Sequence, residues 1–116
     1  MLYDGSHPAN RGLKLACDLA EHASVELRIL TADDDAERGR QTLDEAKAYV
    51  EPLGLKAGYA VLPGRAVKAA AAFLTEDPVA LVVLGMRGHS PLRHLILGRT
   101  AEQLMRSVDV PVLMVP

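Results

Sequence analysis

The run Leu81-Val82-Val83-Leu84, entered after Asp77-Pro78 and closed by Gly85, restricts the fold more than any other stretch of the chain. A strand with one wet face alternates apolar and polar residues. An unbroken apolar run needs cover on both faces, as in a parallel sheet flanked by helices. The run is short, β-branched and bounded by breakers, so the sequence predicts a strand over Val79 to Leu84. It opens into Gly85-Met86-Arg87-Gly88, and nine residues later the chain reaches Gly98-Arg99-Thr100, where a helix begins. A buried strand leading through a glycine-bracketed basic loop to a helix start is the grammar of a phosphate cradle. Glycine lets the backbone approach an oxyanion unobstructed, and amides at a helix N-terminus carry the positive end of the peptide dipoles.

Upstream, short apolar runs alternate with longer amphipathic ones. Met1-Leu2-Tyr3 reads as the end of a strand, followed by the turn Asp4-Gly5-Ser6-His7-Pro8. Leu13, Ala16, Cys17, Ala20 and Ala23 share a helical face. Val25 to Leu30 is a predicted strand. Thr31 to Asp35 is a polar loop whose aspartates suit the start of a helix that runs to about Glu51. Pro52-Leu53-Gly54 stops that helix, Leu55 to Leu62 is the next strand, and Arg65 to Leu74 is an alanine-rich helix. After the glycine loop come a helix from Arg99 to Ser107 and a last strand from Val110 to Val115. Strands alternating with helices specify an α/β fold, a parallel sheet with right-handed crossovers and helices on both faces. Ligands in such sheets bind beyond the carboxyl ends of the strands. The Asp4 turn and the Gly85 loop both lie at such ends and are expected to face one cleft.

At 116 residues the chain is expected to be one domain, 1–116. Phe73 and three tyrosines are its only aromatics, too few for stacking along a nucleic-acid strand, and the net charge of −2 argues against nonspecific DNA or membrane binding. Charge is local: Arg87 to Arg99 is basic, Thr31 to Glu51 mostly acidic. The single cysteine, Cys17, excludes an intramolecular disulfide and a cysteine-held zinc, and its place on an apolar helical face points to packing. Without a spanning-length apolar run or a signal-like start, the expected location is the cytoplasm.

Asp4-Gly5-Ser6 after the first strand, Gly85-x-x-Gly88-x9-Gly98, and the closing Val110-Pro111-Val112-Leu113-Met114-Val115 together resemble the universal stress protein family over essentially the whole chain. The resemblance implies a five-stranded parallel sheet in the order 3-2-1-4-5 inside an open α/β sandwich like that of the adenine nucleotide alpha hydrolases. It also implies a homodimer and, for members with this glycine spacing, ATP bound with a divalent metal such as Mg²⁺. Carried onto this chain, Gly85 and Gly88 with Arg87 between them would wrap ribose and phosphates, and Gly98 with Arg99 and Thr100 would hold the terminal phosphates. Asp4, beside Tyr3 at the end of the first strand, would face the nucleotide or its metal. Ala32 would meet adenine, and His89 would donate to phosphate. The family places Ser or Thr directly after the last glycine, where this chain has Arg99 and displaces Thr100 by one. An arginine there either pairs with a phosphate through two parallel hydrogen bonds or fills the pocket.

Plainer readings stand beside these. Asp4 also suits a turn in which it bonds its own backbone, Gly85 and Gly88 suit a plain turn, and Arg93, His89 and His94 suit a solvated loop. Asp33-Asp34-Asp35 looks like a metal cluster but reads better as the cap of the following helix. The chain contains no P-loop lysine, nucleophile elbow or paired metal-spaced histidines, so no catalytic residue is assigned and any ATP hydrolysis is expected to be slow. The last strand is too apolar for a bare edge, and pairing with its twin in a second copy would hide it. The first strand is truncated to Met1–Tyr3 and is expected to be the weakest part of the fold. Compensation by water, a start placed too late and descent from one half of a tandem protein are all open. Two functions follow: a homodimeric ATP-binding regulator, or a nucleotide-free dimeric interaction module in which Arg99 occludes the pocket.

Overall fold

The computed structural model describes residues 1–86 and 99–116. Its elements are α1 (His7–Ala23), β1 (Leu27–Ala32), α2 (Ala36–Val50), a 3₁₀ turn (Glu51–Leu53), β2 (Ala57–Leu62), α3 (Ala66–Glu76), β3 (Val82–Gly85), α4 (Arg99–Ser107) and β4 (Val112–Val115). Helix α1 starts earlier than the turn residues suggested. Ser6 caps it by accepting from the Ala9 amide at 3.3 Å, and Pro8 occupies the first turn, where its missing N–H costs nothing. Asp35 caps α2, its carboxylate accepting from the amides of Glu37 at 3.0 Å and Arg38 at 3.1 Å. Pro52 and a left-handed Gly54 at φ 69° end that helical segment as predicted.

β1 pairs with β2 in parallel, Leu27 opposite Ala57 through Ala32 opposite Leu62. β3 pairs with β4, Val82 opposite Val112 through Gly85 opposite Val115. The described residues therefore form two two-stranded parallel sheets. Met1–Tyr3 is not a strand but a single residue's worth of ladder, with Leu2 bridged in parallel to Leu30 of β1 and to Leu84 of β3. The Leu2 amide donates to the Val83 carbonyl at 2.9 Å and the Tyr3 amide to the Leu30 carbonyl at 2.8 Å, so these residues hold both inner edges.

β1 begins at Leu27 rather than Val25, where β2 begins opposite it at Ala57, and β3 begins at Val82 rather than Val79, where β4 begins opposite it at Val112. β4 begins at Val112 rather than Val110, its ladder opening where the Pro111 carbonyl accepts from the Val82 amide at 3.0 Å.

Side chains alternate across the strands into two cores. Val83 joins Leu13, Cys17, Ile29, Leu43 and Val50 under α1 and α2, with Leu113 and Val115 packed against them. Val82 and Leu84 join Ala70, Ala101 and Leu104 under α3 and α4, with Val112 and Met114 beside them. Helices thus cover both faces, as the unbroken Leu81–Leu84 run required. Cys17 is a buried free thiol, held above its ordinary pKa by burial and by nearby Asp18, consistent with packing. Among the described residues no helix is long and apolar enough to cross a membrane.

Candidate functional site

The carboxyl ends of β1 and β3 stop where their polar and small residues begin, and between them lies a cleft of about 480 Å³. Asp4 enters from the turn after Tyr3. Thr31, Ala32 and Asp33 come from the end of β1, Arg38 and Thr42 from α2, Ala66 from the start of α3, Leu84, Gly85 and Met86 from β3, and Ala101 from the first turn of α4. Asp4, Ala32 and Gly85, far apart in the chain, are thereby brought to one cavity. The start of α4 adds amides without helical partners on the same side, the arrangement that favours an anion.

Asp4 is exposed and its carboxylate accepts from the Ser6 amide at 3.0 Å, so the turn-forming role is present alongside its place on the cleft wall. Ala32 is half-buried, small enough to leave its wall open. Gly85 has a packing reason of its own. A Cβ there would lie 2.3 Å from the Ala9 amide nitrogen and 2.5 Å from the Pro8 carbonyl carbon, so α1 can begin against β3 only if this position is bare. Tyr3 is buried, 3% exposed, its hydroxyl donating to Asn10 Oδ1 at 2.7 Å, and with Asp4, Ala32 and Gly85 it lines a small cavity of about 110 Å³ adjoining the cleft. Burial, with the charges of Glu45 and Asp4 adding to it, raises the phenol's pKa. Arg99 is the first residue of α4 and exposed, and Thr100 is the second. Arg87, Gly88, His89, Arg93, His94 and Gly98 lie outside the described residues.

The three aspartates after β1 divide three tasks. Asp35 caps α2, Asp34 accepts from the Gly64 amide at 2.8 Å, and Asp33 holds Arg38 through two bonds of 2.6 Å each. The Arg38 guanidinium, helped by the Asp35 amide, keeps the Asp33 carboxyl below its ordinary range. Among the described residues no group of three metal-ligating side chains comes together. The sequence reading missed Arg38 and Thr42. Their spacing places them one turn apart on α2, and Thr42 donates to the Arg38 carbonyl at 3.1 Å, but only the crossing of α2 over β1 turns that face toward the cleft. The cleft therefore has a paired cation on one wall and a carboxylate on another. A polyanion entering it needs further positive charge, which Arg87, Arg93 and Arg99 carry in sequence.

The sequence profile of the universal stress protein family matches residues 1–116. A universal stress protein of Synechocystis sp. is 29% identical over 113 residues, 96% of this chain and 39% of that protein. A second, from Methanocaldococcus jannaschii, is 29% identical over 79 residues, 68% of this chain and 46% of that protein, so the chain spans less than half the length of both curated relatives. Among solved structures, a universal stress protein from Archaeoglobus fulgidus superposes with a TM-score of 0.86 at 22% identity, covering 99% of this chain and 95% of that one. A universal stress protein solved in complex with cAMP superposes at 0.83 with 25% identity, covering 99% and 92%.

Proposed function

The chain belongs to the universal stress protein family, and from that premise we propose that it binds an adenine nucleotide, ATP with Mg²⁺, in the cleft at the carboxyl ends of β1 and β3. The observation that carries the reading is the convergence of Asp4, Ala32 and Gly85 on one cavity beside the first turn of α4. Adenine would lie against Ala32. Gly85, Arg87, Gly88 and His89 would follow the ribose and phosphates, and Gly98, Arg99 and Thr100 would close on the terminal phosphates. Asp4 would face the metal, which offsets the carboxylate charge that the cleft wall would otherwise turn toward the ligand. The cAMP complex of a relative at 25% identity supports an adenine nucleotide as the class of ligand.

On this reading the protein acts by occupancy, the filled and empty states differing in stability and partner affinity. The sheet reads as five strands in the order 3-2-1-4-5 with the first reduced to Leu2. The edge of β4, continued to Val110, would pair with its twin in a cytoplasmic homodimer.

Calorimetry with ATP, ADP and AMP, with and without Mg²⁺, tests the reading. Saturable binding that prefers the triphosphate with Mg²⁺ and weakens in Gly88→Val, Gly98→Val and Asp4→Asn is expected. Flat traces at millimolar ligand would overturn it in favour of a nucleotide-free interaction module.

A further inference from the structure

Helices α3 and α4 pack side by side over one core, with Ala70, Ala101 and Leu104 buried beneath them. On their outer side the seam is not filled. α3 turns small residues toward it, and between the helices runs an open groove of about 680 Å³. Ala66, Val67 and Ala71, each half-buried, form its floor. Its rims are exposed and basic, with Arg65 and Lys68 at the start of α3 and Arg106 on α4.

The described lining residues carry three cations and no acid, on a chain whose net charge is −2. Arg65 and Lys68 bond no carboxylate among the described residues, as the exposed cations Arg38, Arg40 and Lys56 do. Arg106 donates to Glu102 at 2.9 Å, an exposed pair one turn apart that contributes little and leaves its other N–H groups for a second acceptor. Beside it the Ser107 hydroxyl donates to the Gln103 carbonyl at 2.7 Å, which leaves the guanidinium as the strongest donor on the α4 rim.

An apolar floor between basic rims selects its occupant by chemistry. A nucleic-acid strand stacks on aromatic platforms, and no aromatic lines the groove among the described residues. A membrane surface is flat and would not reach a concave floor. A second copy offers α2 as its acidic helix, yet Glu37 and Asp44 there are already paired with Arg40 and Lys47. A helix with one apolar stripe and carboxylates on both sides of it fits floor and rims together, the mode in which an amphipathic helix lies in a groove. Arg65 and Lys68 stand three residues apart, the spacing at which carboxylates on such a helix also repeat.

We propose that the groove between α3 and α4 docks a short acidic amphipathic helix of another protein, its apolar stripe on Ala66, Val67 and Ala71 and its carboxylates on Arg65, Lys68 and Arg106. Docking does not rest on the nucleotide reading, because among the described lining residues the groove shares only Ala66 with the cleft. So small a surface makes the contact transient, and charge sets its specificity.

Fluorescence anisotropy with the labelled peptide Leu-Glu-Glu-Leu-Leu-Asp-Glu-Leu-Leu-Glu-Glu-Leu tests this on the intact chain. Saturable one-to-one binding is expected, about tenfold or more tighter than for the same peptide with Gln and Asn in place of its acids. The double variant Arg65→Glu, Lys68→Glu should weaken it by about tenfold or more, and Arg106→Glu by less, since Glu102 already takes one of its bonds. Lys14→Glu with Arg40→Glu, two exposed cations outside the groove, should change it by less than about twofold. Every substituted side chain is exposed, so Tm should hold in all variants. Flat traces, equal binding of the two peptides, or equal losses from the two double variants would overturn the proposal. So would tighter binding of oligothymidine or phosphatidylserine vesicles that the groove variant abolishes, or self-association in sedimentation that it abolishes, because a nucleic acid, a membrane or a second copy would then be the occupant.

Discussion

The two ends of the same strands differ in kind. At the carboxyl ends the charged side chains on the cleft wall already have local partners, Asp33 bonding Arg38 and Asp4 accepting from the Ser6 amide, and the Gly85 backbone is pressed against the start of α1. At the amino ends a second, more apolar slot is walled by residues 25–28, residues 77–81 and α1, and at its inner end the Met1 amine donates to the Arg28 carbonyl at 2.5 Å. The polar groups of this fold thus gather at the carboxyl ends, where a charged ligand is proposed, while the amino ends offer mainly apolar surface.

The sharpest way to break that contrast is Gly85→Ala. Its methyl would meet α1 backbone at 2.3 Å, and the expected loss is about 3 kcal/mol in urea unfolding. Near-normal stability would mean that the glycine is spared for a ligand alone. Gly88→Val, in contrast, should lose nucleotide with stability kept. Next come the cores. Ile29→Ala and Leu104→Ala, each at 0% exposure, should each cost about 2–5 kcal/mol. Leu19→Ala, 40% exposed at the slot, should stay within about 1 kcal/mol. A core-sized loss at Leu19 would mean that the slot is packed as tightly as the cores.

A smaller effect is expected from pH. Burial lowers the Met1 amine from 8.0 to about 6. Between those values the unfolded chain holds a proton that the folded chain has released, so stability should rise as pH goes from 6 to 8 and this contribution should be level outside that window. Glu26, Arg28 and Asp77 line the same slot and Arg28 is paired with both acids, its bond holding the Glu26 carboxyl below the ordinary range. Tm measured from pH 5.5 to 8.5 checks this, and any extension that turns the amine into an amide should abolish the slope. The smallest difference separates buried Tyr3 from half-buried Tyr59. Tyr3→Phe loses the bond to Asn10 and should cost about 1 kcal/mol. Tyr59→Phe removes a buried hydroxyl that bonds no group among the described residues, and Tm should hold or rise slightly.

Much of the architecture was legible because it follows from local chemistry. Asp35, Pro52 and Gly54 mark helix ends through local chemistry, and the apolar run before Gly85 announced a strand covered on both faces, whereas Ser6 was read as part of a turn and instead caps α1. That Asp4, Ala32 and Gly85 face one cavity was legible from position, because strand ends share one side of a parallel sheet. Arg38 and Thr42 were not, since helical spacing sets which residues share a face but not which neighbour that face meets. Tyr3 was read toward the cleft, and the structure gives its hydroxyl to Asn10 while the residue lines a small adjoining cavity with Asp4, Ala32 and Gly85, a pairing that only the packing of α1 reveals.

Taken alone, the sequence determined the order of helices and strands, their caps and breakers, and the family, all properties that a chain carries in short-range pattern. Only the tertiary structure decided that Gly85 is bare to admit α1, that Asp33 is committed to Arg38, and that one leucine joins two sheets above an open apolar slot. Those outcomes depend on distances between segments dozens of residues apart, and such distances exist only once every helix has packed on its strands.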